Sequence, residues 1–250
     1  MSGHSKWSSI KHKKAAADSK RGKVFTRLLR EIAVAARAGG GDPDKNPRLR
    51  KAMQDARAQN MPADNVKRAI LKGTGQLEGA AYEELTYEGY GPGGIALYLQ
   101  VVSDNKNRTI SEIRHIFAKN NGRIGENGCV AWMFKQMGYI DIEKDKASEE
   151  QLMDLALSAG AEDIKDDGSI WEIVTKPEAY EKVLEAVKAA GIEVADSNVG
   201  YLPQNYVKLT GKEAQQALKL VEELEEHDDV QNVSSNFDID EEEIAKFGTA

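Results

Sequence analysis

The sequence predicts an α+β chain of several domains: an N-terminal three-helix domain followed by two ferredoxin-like α/β domains, the third inserted in the second. Three observations predict it. Apolar residues recur at helical spacing through residues 18–72, with glycine stops at Gly39-Gly40-Gly41 and at Gly73. Beyond the linker 73–80 (GTGQLEGA) the period changes to that of strands. Residues 139–202 then read as βαββαβ, the element order of a ferredoxin-like sandwich. The expected boundaries are 1–80 for the helical domain, 81–137 plus 204–250 for the α/β domain it leads into, and 138–203 for the insertion.

Taken in order, residues 1–20 lack apolar periodicity and read as a basic arm. Phe25, Leu28, Leu29, Ile32 and Ala36 then form one face of a first helix. A second helix begins at Asn46-Pro47, where Asn can cap and Pro suits the first helical position. Its buried stripe is Leu49, Ala52, Met53 and Ala56. A third starts near Met61-Pro62 with Val66, Ala69 and Ile70 inward. Strand-like runs at 84–89 and 95–102 flank Gly91-Pro92-Gly93-Gly94, which matches no phosphate-loop spacing and reads as a hairpin turn. Thr109 and Glu112 have the spacing of a capping box, opening a helix that buries Ile110, Ile113, Ile116 and Phe117. Residues 121–128 read as a glycine-rich loop and 129–134 as a buried strand containing an inert Cys129. In the insertion, strands fall near 139–142, 162–165, 170–174 and 192–201, and helices near 148–159 and 177–190. A strand at 206–209, a helix at 211–226 and a strand at 230–237 complete the interrupted domain.

Charge divides the chain sharply. Residues 1–80 hold 18 Lys and Arg against 7 Asp and Glu, a formal +11, whereas residues 81–250 hold 16 against 34, a formal −18. A basic head on an acidic body points to a polyanionic partner, since phosphates neutralised by Lys and Arg release counterions. The candidate contacts are Lys6, Lys11, His12, Lys13 and Lys14 with the aromatic Trp7 on the arm, and Lys20, Arg21, Lys23, Arg27 and Arg30 on the first helix. Trp7 could instead pack back to pin the arm. Lys106, Arg108, Arg114 and His115 gather near the start of the helix that Thr109 opens, where backbone N–H groups favour an anion; an ordinary capped helix with surface charges is the alternative. Residues 222–243 carry 11 acids and no Lys or Arg, which excludes that end as a phosphate surface.

The remaining patterns exclude function classes. No apolar run reaches membrane-spanning length, and no apolar segment follows the N-terminal charges as a secretory signal requires. A single cysteine excludes an internal disulfide, and the four scattered histidines do not pair at metal-ligand spacing. With no nucleophile elbow and no P-loop, the expectation is a cytoplasmic protein that is not an enzyme and has no metal and no cofactor.

Several strings carry a resemblance. Gly3-His4-Ser5-Lys6-Trp7, Ile10-Lys11-His12, Lys20-Arg21-Gly22-Lys23 with Phe25-Thr26, Asn46-Pro47-Arg48-Leu49-Arg50, Asn60-Met61-Pro62, Tyr87-Glu88-Gly89-Tyr90-Gly91-Pro92-Gly93-Gly94, Asp104-Asn105-Lys106-Asn107-Arg108-Thr109 and Asp228-Asp229-Val230-Gln231-Asn232-Val233 resemble the YebC/PmpR family over nearly the whole length. Ser8-Ser9 and Ser103 depart mildly from it. The resemblance implies one helical and two α/β domains, the third inserted in the second, and a cytoplasmic nucleic-acid-associated regulator without a settled catalytic site. Bacterial members are described as DNA-binding transcriptional regulators; mitochondrial relatives activate translation, and some bacterial members resemble ribosome-associated factors.

The expectation is therefore a DNA-binding transcriptional regulator working through its basic head. The alternatives are an RNA- or ribosome-associated translation factor, with ribosomal or messenger RNA as partner, and a protein-interaction scaffold. No membrane partner is expected; the oligomeric state is left open by the sequence, with a monomer favoured. The head offers few Asn and Gln side chains for reading base edges, which predicts contacts mostly to phosphates.

Overall fold

The computed structural model describes residues 17–79, 81–240 and 242–244, with side chains from residue 22 onward. Helices α1 (Ala17–Gly39), α2 (Pro47–Ala58) and α3 (Ala63–Gly73) form the head. Asn46 does more than cap α2. Its side-chain oxygen accepts from the Leu49 N–H at 3.0 Å, while its amide donates to the Ala35 and Gly40 carbonyls at 2.7 and 2.9 Å, fixing the turn between α1 and α2. Ile32, Ala35 and Ala36 pack on Leu49, Ala52, Ala56, Val66 and Ala69. Ala33 and Val34 are buried as well, so this part of α1 is enclosed on every side, as befits a helix lodged between its own bundle and a second surface. Gly73 permits the close approach of α3, because a Cβ there would collide with the Ala33 carbonyl.

Strands β1 (Glu83–Tyr90) and β2 (Ala96–Ser103) form an antiparallel hairpin. Its turn runs through Pro92–Gly94, where Gly93 takes φ of 68°, open to glycine and strained for other residues. Helix α4 (Lys106–Lys119) crosses to the short β3 (Arg123–Ile124), which pairs with β1. The chain leaves for the insertion and returns through β8 (Val207–Lys208), α7 (Gly211–Glu226), β9 (Val230–Ser235) and β10 (Phe237–Asp238). The sheet order is β3-β1-β2-β9, with α4 and α7 on one face. Leu97, Leu99 and Val101 meet Ile113, Phe117, Leu218 and Val221 in its core.

The insertion comprises β4 (Phe134–Glu143), α5 (opening at Glu149–Leu152 and continuing through a wide π-type turn, Met153–Leu157), β5 (Ala161–Asp167), β6 (Ile170–Thr175), α6 (Tyr180–Ala189) and β7 (Asp196–Pro203). Its order, β5-β6-β4-β7, is that of a ferredoxin-like sheet, with Ile140, Ile142 and Ile173 packed under Leu152, Val183 and Val187. The interrupted sheet reaches the same two-layer layout by a different chain order, because β1 comes before β2 rather than after β3.

Three local expectations are corrected. Residues 129–134 are not a buried strand: the backbone turns through Ala131–Met133, and β4 begins only at Phe134. The apolar run is split, with Val130 fully buried and Trp132 67% exposed. The glycine-rich segment contains β3, too short to leave a periodic signal. Thr109 is not a cap: Asn105 is, its side chain accepting from the Arg108 N–H at 3.1 Å. The Thr109 hydroxyl lies inside the helix and within 2.7 Å of Ser103 Oγ.

A candidate nucleic-acid interface

Of the expected contact residues, Lys6, Trp7, Lys11, His12, Lys13 and Lys14 lie outside the described residues. Lys20 and Arg21 lie on α1, described by backbone alone. The rest are placed, and most of them converge. Lys23 Nζ lies 3.7 Å from Glu226. Arg27 donates to the carbonyl of Glu225, and Arg30 to the carbonyl of Asp228. These carbonyls belong to the end of α7 and the turn after it, where unsatisfied C=O groups and the helix dipole attract cations. The basic face of α1 is thus laid across the acidic end of the body.

Asp229 is the centre of this contact. The turn that holds it is built by its own neighbours: His227 N–H closes on Leu224 O at 3.2 Å, and Asp229 N–H donates to His227 Nδ1 at 3.1 Å. The Val102 N–H of β2 donates to Asp229 O at 2.8 Å. The side chain, 2% exposed, receives Arg30 at 2.8 Å on one oxygen, and Arg108 at 2.7 Å together with the Thr109 hydroxyl on the other. The two basic clusters seen in the sequence, one on the head and one on α4, therefore meet on a single carboxylate. Burial pushes the Asp229 pKa up, but the hydrogen bonds from Thr109 and Arg108 and the charges of Arg30 and Arg108 outweigh it and hold the group below its ordinary value. Arg108 is raised, first by its hydrogen bond to Asp229. Burial lowers the Arg27 pKa against the raising pull of Glu225 and Asp228.

Other cations stay uncommitted. Arg57 on α2, Lys67 and Arg68 on α3, and Lys106 and Arg114 on α4 are exposed, with no ion pair among the described residues. Arg48, by contrast, is held between Glu31 at 2.7 Å and Glu84 at 2.6 Å, and these bonds drive its pKa upward.

The comparisons with known proteins agree with one another. A family model described as the TACO1/YebC protein N-terminal domain matches residues 5–76, and one described as the TACO1/YebC second and third domain matches residues 82–237. The chain belongs to the TACO1/YebC family. A "Probable transcriptional regulatory protein" of Desulfatibacillum aliphaticivorans is 57% identical across 98% of this chain and 100% of its own length. A protein of the same description from Koribacter versatilis is 58% identical, covering 98% of each chain. The crystal structure of a conserved hypothetical protein from Aquifex aeolicus is 45% identical and superposes with a TM-score of 0.82 over 92% of this chain and 96% of its own.

In this TACO1/YebC chain the three lobes enclose a cleft of about 760 Å³ that the sequence did not announce. The head lines it with Arg27, Arg48 and Lys51 beside the carboxylates of Glu31 and Asp55, and the two sheets with Glu84 and with amides such as Gln100, Gln136 and Asn232. No local motif marks these amides. Gln100 and Asn232 are marked only by their place in predicted strands, Gln136 falls between two of them, and the surfaces that face one another come from segments far apart in the chain. Glu112, His227 and Asp229 also offer ligand atoms within 4.8 Å of one another. Two arginines already occupy Asp229, and a dication would face their charge. His227 is committed too: Nδ1 accepts from Asp229 N–H, which leaves the proton on Nε2 to donate to Glu112 at 2.9 Å. The chemistry of the cluster fits a hydrogen-bond relay that orients the turn better than a metal site.

Proposed function

We propose that the chain is a cytoplasmic nucleic-acid-binding regulator of gene expression that acts through its basic head, with duplex DNA as the first reading. The observation that carries this is the exposed, uncommitted set Arg57, Lys67 and Arg68 on a head whose 80 residues bear a formal +11. Such cations hold phosphates, and phosphate contacts position a protein without reading sequence. The relatives' description as transcriptional regulatory proteins supports the DNA reading.

The second reading is an RNA- or ribosome-associated translation factor, and the central cleft favours it. A space of about 760 Å³ lined by amides, with its cations Arg48 and Lys51 paired to Glu31, Glu84 and Asp55, is too confined for a duplex and suits the base edges of unpaired nucleotides, which Gln and Asn can pair with. The test is binding to a random duplex, a candidate promoter duplex and a ribosomal RNA hairpin across a salt series, with co-sedimentation on ribosomes alongside. Promoter preference over both competitors supports the DNA regulator. Hairpin preference with co-sedimentation supports the translation factor. Affinity that ignores salt for all three ligands overturns both.

A further inference from the structure

Trp132 stands apart from the interface described above. Its side chain is 67% exposed, the most open of the large hydrophobic residues described, yet it is rigidly held. Its indole Nε1–H donates to the Cys129 carbonyl at 3.2 Å, and the Tyr90 hydroxyl donates to the same carbonyl at 3.0 Å. The backbone beneath is gripped by Glu88, whose carboxylate, 4% exposed, accepts the N–H groups of Gly128, Val130 and Ala131 at 2.6, 2.7 and 2.8 Å. Gln204 closes the other side, its backbone N–H on Met133 O at 2.8 Å. Burying a carboxylate is costly unless its acceptors are filled. Here that cost is met in order to fix a loop whose outermost group is a bare indole ring.

We propose that Trp132 is a stacking platform for an unpaired nucleobase of the bound nucleic acid, an inference that rests on the nucleic-acid reading above. The indole donor is already used, so the ring's unspent feature is its π-face, which every base can stack on. Near it in the chain Glu126, Asn127 and Lys135 are exposed, and the exposed Gln204 donates its side-chain amide to the Trp132 carbonyl at 3.4 Å. A protein-binding hot spot would sit within an apolar patch, and the other exposed large hydrophobics described, Leu77, Met153 and Leu157, belong to other elements. Arg123 lies 5.5 Å over the ring of Tyr90, the tyrosine whose hydroxyl shares the Cys129 carbonyl with the indole. Gln136, four residues along the chain, lines the central cleft, so the Trp132 Cα lies within about 14 Å of the Gln136 Cα, the span of four extended residues. A strand whose backbone follows the head and cleft can leave one base on Trp132.

The experiment compares the full chain with Trp132→Ala and Trp132→Phe on labelled hairpins carrying one unpaired purine, in RNA and in DNA, and on fully paired hairpins of equal length. Trp132→Ala should weaken binding to the bulged hairpins about tenfold and leave the paired ones unchanged; Trp132→Phe should restore most of the loss. The RNA and DNA arms show whether the base is taken from one nucleic acid or both. Because the ring is exposed, thermal stability should not move. Equal affinity of wild type and Trp132→Ala for bulged hairpins that the wild type binds overturns the platform alone. A wild type that binds none of the hairpins overturns the nucleic-acid reading itself.

Discussion

The head presents two basic faces that are alike in sequence and unlike in their surroundings. On α1, Lys23, Arg27 and Arg30 meet Glu226, the carbonyls of Glu225 and Asp228, and the buried carboxylate of Asp229. On α2 and α3, Arg57, Lys67 and Arg68 face solvent without an ion pair among the described residues. The first face fastens the head to the body; the second is the one we propose for a polyanion. Charge density alone could not separate them, because the partner of the α1 face lies about two hundred residues further along the chain.

The strongest way to break this comparison is to remove its central carboxylate. Asp229→Ala should destabilise the protein by about 3 kcal/mol, since it leaves Arg30 buried without a counter-charge. The low end of the usual range applies because the Arg108 side chain is 42% exposed and can rehydrate. Chemical denaturation measures it, and a loss below about 1 kcal/mol would mean that the head does not depend on this contact.

Acid offers a second test, and a second buried carboxylate supplies the control. Asp229 is held below its ordinary pKa, so its contribution is complete above the unfolded value and is lost as pH falls through the folded one. Asp141 on β4 is the reverse case. Burial raises its pKa well above normal, helped by Glu172 and Asp196, its cross-strand neighbours on β6 and β7, and by Asp167. Here the folded state binds the proton more tightly, so stability falls as pH rises from about 4 toward the folded pKa. Asp141→Asn should therefore gain about 1 kcal/mol near neutrality and flatten that limb, while the acid limb due to Asp229 persists. Denaturation midpoints from pH 3 to pH 8 check both signs; an Asp141→Asn protein no more stable than wild type at pH 7 would contradict the second.

At the small end lies Lys23. Its pair with Glu226 spans 3.7 Å between half-exposed side chains, and Lys23→Ala should cost no more than about 0.5 kcal/mol. A larger loss would show that the whole α1 face, and not Asp229, secures the head.

Much of the fold was legible because local signals and tertiary structure agree. Asn46-Pro47 opens α2, Gly73 closes α3, and α7 spans the residues its periodicity marked. The ferredoxin-like order of the insertion was equally plain in its alternation of periods. What escaped was set by distant or single-atom interactions. Residues 129–134 are apolar enough for a strand, but Glu88 draws three of their neighbouring N–H groups into a turn and turns Trp132 outward. Asp141 alternates with Ile140 and Ile142 as a solvated residue would, yet it is 2% exposed. At the candidate interface, residue type could not tell which cations were already spent: Arg27, Arg30 and Arg108 were expected as phosphate contacts and are held by the body, while Arg57, Lys67 and Arg68 were not singled out.

The division of the head is tested most directly by substituting Arg57, Lys67 and Arg68 together with Ala and measuring binding to a duplex and to an RNA hairpin across a salt series. The account predicts weaker binding to both, a log–log salt slope shallower by about two to three units, and an unchanged melting temperature. An unchanged slope and affinity in a folded triple variant would contradict it and return the phosphate contacts to other parts of the chain.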